Sequence, residues 1–273
     1  MTFKTLFKKE DYWAIWIASG LLLFSFCLFL INKPKNWSQI DVLEEQIEAE
    51  TVVGFKTTFW YQQIDDQKEI NGGKTWIGKA LKKYTSKPGK WSVNPISAFY
   101  LSEDEAEEIR EKSRQKLKKA SLEELEAYNN AREKEKIANA ALYKNKKLNE
   151  EAQYSIGLWR SAKKVVETIE KKSNIKSYNR LPSLLILFVL LLALFGLGKH
   201  CIDTPIFKFA PSFALLFVLA VMAYLLGGQK SIKAYGLGYA FWAILIGLVI
   251  SNTIGVPKWL KPCLLYTSDA ADD

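Results

Sequence analysis

Three neighbouring polar side chains, Ser251, Asn252 and Thr253, end an apolar run of membrane length. Two hydroxyls, a carboxamide and the free backbone groups of an unwound turn before Gly255 could bind an ion or a small substrate inside a membrane. The alternative is an ordinary helix end whose polar side chains cap the backbone at the interface. The sequence favours this alternative, because a span that starts near Tyr235 places Asn252 close to the far interface.

Catalytic chemistry finds little support elsewhere in the chain. The one histidine is His200, and the three cysteines lie apart, without zinc or disulfide spacing. We find no paired carboxylates, nucleophile elbow or phosphate-binding loop. The Gly236–Gly238 pair opens a membrane run, where small residues favour close helix packing over dinucleotide binding. We therefore predict no enzyme, no metal site and no cofactor.

Four apolar windows reach or approach the length of a membrane span: residues 12–31, 181–198, 209–226 and 235–254. A spanning helix needs about 20 mostly apolar residues, because the hydrocarbon core is about 30 Å thick. Pro211 is expected near the start of the third helix, where its missing N–H is not needed. Buried core helices of a soluble protein are the alternative, which the crowding of three windows after residue 181 disfavours.

The first window resembles a signal peptide in its basic front, formed by Lys4, Lys8 and Lys9. Its apolar run is nevertheless too long for a signal core, and the sequence that follows has no small-x-small cleavage pattern. We predict a retained membrane anchor.

A long polar region separates the first window from the other three and lowers the mean hydropathy of the whole chain to −0.06. We predict an all-α fold: a polytopic helical membrane protein fragment with about four transmembrane helices and a long helical insert after the first. The predicted segments are 1–32, a tail and the first span; 33–180, the charged insert outside the membrane; 181–262, three spans; and 263–273, a tail outside the fold.

The first half of the insert has helical patterns of apolar residues, from Ile40 to Trp60 and again from Trp76 to Tyr84. The second pattern has Trp76, Ile77, Ala80, Leu81 and Tyr84 on one face, opposite Lys79, Lys82 and Lys83. Such a basic amphipathic helix can lie on an anionic membrane surface. The alternative, which we favour at this point, is a helix packed on its own domain with solvated lysines.

The sequence of the second half of the insert predicts two or more long helices in this region. Ser102–Glu105 and Ser121–Glu124 each match a capping box, which marks a helix N-terminus. Ala152, Ile156, Trp159, Lys163 and Val166 keep a four-three spacing that fits a coiled-coil seam only in part, since Lys163 occupies an apolar slot. We expect an antiparallel helical hairpin, because both ends of the insert return to the membrane. Asn129–Asn130 or Asn145 could form its bend.

Charge indicates an orientation but no nucleic-acid partner. The insert carries 29 basic and 23 acidic residues, interleaved rather than segregated, and it has no nucleic-acid-binding signature. Lysine and arginine counts near span ends set orientation. Seven basic residues flank the spans on the side of the amino terminus, and five flank them on the other side. This difference predicts a cytoplasmic amino terminus and a periplasmic insert.

The run QKSIKAYGLGYAFWAILIGLVISNTIGVPKWLKP, from Gln229 to Pro262, closely resembles the YeiH-like bacterial membrane proteins, a family labelled sulfate exporters. Lys8–Leu23 and the GKWSVNP motif at Gly89–Pro95 are also similar to this family. The resemblance covers residues 6–262. It implies a polytopic inner-membrane protein with more spans than this chain contains, distantly similar to bile-acid/sodium symporter-type carriers.

The last eleven residues, Cys263–Asp273 (CLLYTSDAADD), look like the translation of a transposon-type sequencing adapter. We therefore expect the chain to be the amino-terminal fragment of a longer protein. The resemblance implies a secondary transporter or exporter of a small anion, sulfate-like by the family label, in the bacterial inner membrane. Its predicted substrate or ion site is Ser251, Asn252 and Thr253.

The competing hypothesis is a membrane-anchored interaction or scaffold protein that acts through the helical insert. The predicted partners are the lipid bilayer and a small anion, without nucleic acid. Self-association into a homo-oligomer stays open at this point.

Overall fold

A computed structural model describes residues 10–50, 54–201, 205–255 and 257–260. The predicted tail at 263–273 and the basic residues Lys4, Lys8, Lys9 and Lys261 lie outside the described residues. Within them the α-helices are α1 (Glu10–Ile31), α2 (Ile40–Glu50), α3 (Thr58–Glu69), α4 (Trp76–Tyr84), α5 (Glu103–Ala140), α6 (Lys146–Ser173), α7 (Leu181–Cys201), α8 (Ile206–Gly228), α9 (Lys230–Ala234) and α10 (Tyr239–Thr253). Two short strands, β1 (Tyr100–Leu101) and β2 (Tyr178–Asn179), pair with each other. The predicted all-α fold is confirmed.

The chain divides into two compact units. The first contains the described residues of 1–31, 76–100 and 178–273, and the second contains those of 32–75 and 101–177. The predicted bounds of the insert, 33–180, therefore enclose a segment, 76–100, that groups with the apolar helices.

Three helices of the first unit are long and apolar enough to cross a membrane: α1, α7 and α8. α7 and α8 run antiparallel, since Phe188 contacts Phe217 with ring centroids 5.2 Å apart and Phe195 contacts Phe213 at 6.1 Å. α8 also packs against α10, and α1 packs against α7. The first three predicted spans are thus confirmed as helices of spanning length.

The fourth predicted span, residues 235–254, forms a shorter helix than expected. α10 has 15 residues, which at about 1.5 Å per residue give about 22 Å, less than a hydrocarbon core of about 30 Å. The apolar run loses its first turn because Gly236 has a left-handed backbone, with φ 80°, and Gly238 is the N-cap. Hydropathy cannot detect this break, because the residues around it are apolar.

Pro211 does not lie at the start of its helix, as predicted, but inside α8. The helix begins five residues earlier because Pro205 is its N-cap and accepts hydrogen bonds from the amides of Lys208 and Phe209 at 3.0 and 3.3 Å. Pro211 consequently leaves a carbonyl of the first turn without its helical donor.

An antiparallel hairpin of α5 and α6 forms the larger part of the second unit. The capping box at its start is confirmed: the Glu105 amide donates to Ser102 Oγ at 3.2 Å, and the Ser102 amide donates to Glu105 Oε2 at 3.0 Å. Asn145 caps α6, accepting from the amides of Lys147 and Leu148. Of the two predicted bend positions, the structure therefore has Asn145, while Asn129–Asn130 lies inside α5.

The second predicted capping box, Ser121–Glu124, is wrong, because α5 continues through it. Small residues recur at seven-residue intervals on the buried side of α5, as Ala106, Ser113 and Ala120 and again as Ala131 and Ala138. This face allows α6 to approach α5 closely. Packing, and the absence of any proline, keep the chain helical where a local motif suggested a new start.

The core of the second unit is built around Trp159 of α6, whose side chain is 1% exposed. It packs with Ile156 and Ala131, and the rings of Tyr61 and Tyr128 lie against it. Its indole N–H donates to Glu124 Oε1 at 2.6 Å, which satisfies the polar end of a buried aromatic residue.

Lys163, which occupied an apolar slot in the predicted seam, pairs with Asp65 of α3. Asp65 Oδ2 lies 2.7 Å from Lys163 Nζ and 2.5 Å from Arg160 Nη1. Burial raises the pKa of Asp65, but the hydrogen bonds from Arg160 and Lys163 outweigh it and lower the pKa from 3.8 to about 2. The lysine therefore fixes α3 to the hairpin.

Candidate functional site

The predicted site residues Ser251, Asn252 and Thr253 form the last turn of α10, and all three are exposed. Asn252 Nδ2 donates to the carbonyl oxygen of Leu248 at 2.7 Å, and Thr253 Oγ1 donates to that of Val249 at 2.6 Å. Gly255, with φ 74°, then ends the helix. The structure thus places the three residues together, with the donors of Asn252 and Thr253 used within their own helix.

Apart from the Ser251 hydroxyl, which can also donate, this geometry leaves oxygen acceptors at the end of α10. The Asn252 carboxamide oxygen and the hydroxyl lone pairs remain, together with the last backbone carbonyls, which carry the partial negative charge of a helix C-terminus. Oxygen acceptors at a negative helix end suit a cation better than an anion. The sequence had left the nature of the ion open.

The end of α10 lies level with the interior of α8. Near its start, α10 touches the last turn of α8, where a Cβ on Gly227 would lie 2.6 Å from the Tyr239 nitrogen. Six residues after its end, the carbonyl of Trp259 accepts a hydrogen bond from the fully buried Ser212. α8 extends six further residues past Ser212, to Ile206, which is about 9 Å at about 1.5 Å per residue.

A second group of polar contacts, made of hydrogen bonds, joins the GKWSVNP motif to the end of α8. The Trp91 indole N–H donates to the carbonyl oxygen of Leu225 at 2.7 Å, and the Trp91 amide donates to that of Gly228 at 3.2 Å. The Lys230 amide donates to the Trp91 carbonyl at 2.9 Å, and Gln229 Nε2 donates to that of Ser92 at 3.2 Å. The loop Gly89–Asn94, called the docking loop below, therefore satisfies backbone groups that the C-terminus of a helix leaves unpaired.

Glycines lie on both sides of this close contact, and the one at Gly228 faces backbone. A Cβ on Gly228 would lie 2.9 Å from the carbonyl oxygen of Gly89. A Cβ on Gly89 would lie 2.0 Å from Nη1 of Arg180. Arg180 donates to the carbonyl oxygen of Ala98 at 3.2 Å and lies over the ring of Tyr178, 4.2 Å from its centroid. The docking loop is thus held from both sides, by α8 and by the residue that precedes α7.

An aromatic pair continues this contact to the start of α10. Tyr224 of α8 stacks on Tyr239 of α10 with ring centroids 4.6 Å apart, and Lys87 Nζ lies 5.2 Å from the centroid of Tyr224. The docking loop, α8 and the start of α10 consequently form one packed arrangement at one end of the apolar helices.

We expect Trp91→Phe to lower the free energy of unfolding by about 1 kcal/mol, because the Leu225 carbonyl loses its donor. Thermal unfolding of the detergent-solubilised chain measures this change. Trp76→Phe is the matched control, since Trp76 lies in the same segment and is 72% exposed. Equal effects of the two substitutions would contradict a specific role for the indole N–H.

Sequence reasoning missed the docking of this loop. The GKWSVNP motif was noticed only as part of a family resemblance, and its partners lie more than a hundred residues further on, as the separation of 134 between Trp91 and Leu225 shows. A signal was present in the glycines of both segments, Gly89 and Gly227–Gly228, which are typical of close backbone approach. In the described part of the chain, no group of three His, Cys, Asp or Glu side chains could hold a metal ion.

Comparisons with known proteins find that the chain is similar to membrane proteins. Residues 211–270 match the family model described as conserved hypothetical protein 698. The chain is 34% identical over 261 residues to a UPF0324 membrane protein of Nitratidesulfovibrio vulgaris, an alignment that covers 95% of this chain and 45% of the relative. The chain is a relative of the UPF0324 membrane proteins. The resemblance to the YeiH-like proteins is thereby confirmed.

A UPF0324 membrane protein of Rhodopirellula baltica is 26% identical over 283 residues, covering 96% of this chain and 38% of the relative. The chain thus spans less than half the length of these curated relatives. No solved structure matches it. The predicted membrane location is supported by these relatives and by the apolar helices α1, α7 and α8.

Proposed function

We propose that the chain is the amino-terminal portion of a secondary transporter or exporter of a small anion in the bacterial inner membrane, and that the end of α10 binds its coupling cation. The observation that carries this proposal is the termination of α10 after 15 residues at a glycine, with Ser251, Asn252 and Thr253 in its last turn. Many secondary transporters bind coupling ions at interrupted helices that offer free carbonyls.

The depth of the end of α10 within the membrane supports the proposal. α10 starts beside the last turn of α8 and ends near the level of Ser212, about 9 Å short of the other end of α8. If α8 spans the bilayer with Lys208 at the headgroups, the polar end of α10 lies near Ser212, about 6 Å below them at about 1.5 Å per residue. The oxygen acceptors at the end of α10 lack donors from their own helix, and polar groups inside a membrane generally serve a function. We therefore propose an ion site here in place of the ordinary interfacial helix end that the sequence favoured.

The substrate and the orientation in the proposal rest on the sequence and on its resemblance to the YeiH-like proteins. The family label suggests a sulfate-like substrate, and the counts of flanking lysine and arginine support a cytoplasmic amino terminus with a periplasmic insert.

The test is anion flux into proteoliposomes that contain the full-length protein to which this chain belongs, with radiolabelled sulfate as the probe and Na⁺ or H⁺ gradients imposed separately. We expect Asn252→Ala to raise the cation concentration needed for half-maximal flux about tenfold, which corresponds to the loss of one ligand worth about 1.4 kcal/mol. Flux at saturating cation should be preserved. Ser19→Ala, an exposed polar position in α1, is the matched control.

Two failures are distinguishable in this experiment. An unchanged cation dependence in Asn252→Ala would overturn the α10 site alone. Absence of cation-coupled flux for sulfate and for other small anions would overturn the transporter proposal, and specific capture of a protein by the α5–α6 hairpin in the same full-length protein would then support the scaffold hypothesis.

A further inference from the structure

The amphipathic helix α4 keeps its apolar face largely uncovered. No residue of α4 is buried by the described part of the chain. Trp76, Leu81 and Tyr84 expose 72%, 41% and 47% of their surface, respectively. A nine-residue helix rarely persists in water without a packed apolar face, so something outside the described protein is expected to cover these side chains.

α4 is held at the end of a membrane span. It packs against α7, and Ser183 Oγ in the first turn of α7 donates to the carbonyl oxygen of Lys83 at 2.8 Å. The docking loop that follows α4 is bonded to the last turn of α8 through Trp91 and Leu225. Since α7 and α8 are antiparallel, both attachments lie at the same end of the spans, where lipid headgroups begin.

The charge of this segment has one sign. Residues 76–100 contain five lysines (Lys79, Lys82, Lys83, Lys87 and Lys90) and no aspartate or glutamate. Among the described residues, none of these lysines takes part in an ion pair. Arg180, Lys230 and Lys233 add positive charge at the same end of α7 and α8. In the rest of the insert, by contrast, basic and acidic residues are interleaved.

We propose that α4 is an interfacial helix that binds anionic phospholipid headgroups. Lys79, Lys82 and Lys83 lie three and four residues apart and so share one side of the helix. Their long stems can reach the headgroups while Trp76 and Leu81 enter the boundary with the acyl chains. Uniform positive charge and continuity with α7 favour lipid over a protein partner as the occupant. The preference for a helix packed on its own domain, drawn from the sequence, is thereby replaced.

Depth of insertion is the first test. Leu81→Cys is made in the full chain after its three native cysteines are replaced by serine, and the new cysteine is labelled with an environment-sensitive fluorophore. The labelled chain is reconstituted in phosphatidylcholine vesicles that contain about 0 or about 30 mol% phosphatidylglycerol, an anionic lipid that attracts basic helices. We expect blue-shifted emission and quenching by lipids with a shallow acyl-chain spin label, greater with phosphatidylglycerol. Lys82→Cys, on the other side of the same helix, is the control and should be quenched less.

Headgroup selectivity is the second test. Spin-labelled phosphatidylglycerol should associate with the reconstituted chain two- to threefold more than the phosphatidylcholine analogue, and high salt should reduce this preference. We expect Lys79→Gln, Lys82→Gln and Lys83→Gln together to abolish the preference. The charge-matched triple variant Lys116→Gln, Lys118→Gln and Lys119→Gln on exposed positions of α5 should retain it.

Equal losses of selectivity in both triple variants would overturn the proposal, because a general charge effect would then explain the preference. Water-like emission at position 81 in both kinds of vesicle would also overturn it. A label at position 81 that is shielded by cross-linking to a second copy of the chain, without lipid quenching, would assign the face to self-association instead.

Discussion

Gly227→Ala is expected to lower the free energy of unfolding by about 3 kcal/mol, because the new methyl group would clash with backbone atoms, which cannot move aside as a side chain could. A Cβ on Gly227 would lie 2.6 Å from the nitrogen and 2.8 Å from the Cα of Tyr239, and 2.9 Å from the carbonyl carbon of Gly238. All three are backbone atoms at the start of α10. Relief of the clash therefore requires α8 and α10 to separate, which also disturbs the stacking of Tyr224 on Tyr239.

Thermal unfolding of the purified chain in detergent, followed by circular dichroism, measures the effect. Gly247→Ala is the matched control, since Gly247 lies within α10 and a Cβ there has nothing within 4 Å. Alanine in this helix interior is expected to be neutral or to stabilise by up to about 1 kcal/mol. If Gly227→Ala were as stable as the control, the close contact between α8 and α10 would be refuted.

Asp65→Asn is expected to lower the free energy of unfolding by about 2 kcal/mol at neutral pH, since a pKa lowered from 3.8 to about 2 corresponds to that much differential stabilisation of the charged form. The substitution also leaves Arg160 and Lys163 facing an amide in a half-buried position. Because the side chain of Asp65 is 19% exposed, solvent screening reduces this interaction only in part.

The same interaction predicts a pH dependence of a definite sign. The folded pKa is below the unfolded one, so the stabilisation is fully present above about pH 4 and is lost as the pH falls towards about 2. The difference in unfolding free energy between the wild type and Asp65→Asn should therefore shrink over this range. Denaturant unfolding monitored by tryptophan fluorescence between pH 7 and pH 2 would measure it.

Asp66→Asn serves as the control for both measurements, because Asp66 is exposed and makes no ion pair with any described residue. We expect it to change the unfolding free energy by less than about 0.5 kcal/mol at any pH. A gap between wild type and Asp65→Asn that stayed constant down to pH 2 would contradict the role of the charged carboxylate.

Features that depend on a few consecutive residues were predictable from the sequence. The capping box of Ser102 and Glu105 and the cap at Asn145 need only the local chain, and both occur in the structure. The spans α1, α7 and α8 follow from hydropathy and length alone. At Ser121 the same local pattern failed, since the packing of α5 on α6 outweighs a cap that offers about 1 kcal/mol.

The features of the fold and of the candidate site that were not predictable depend on contacts between residues far apart in the chain. The docking of Trp91 on Leu225 and the pairing of Lys163 with Asp65 each join segments that are far apart in the chain, with separations of 134 and 98 residues. The polar residues at 251–253 could be identified as candidates, but their depth depended on where α10 begins. That start is set by the left-handed backbone of Gly236, which an apolar profile does not reveal.

Synthesis of the chain must proceed for some time with residues 76–100 unpacked. This segment leaves the ribosome before its partners, since Ser183 follows Lys83 by 100 residues and Leu225 follows Trp91 by 134. At about 5–20 residues per second, the delay is on the order of 10 s. Over that interval α4 could pack against neither α7 nor α8. An adjacent anionic membrane would be the first surface on which α4 could bury its apolar face. Insertion of the chain would then depend on lipid composition before its helices have packed together.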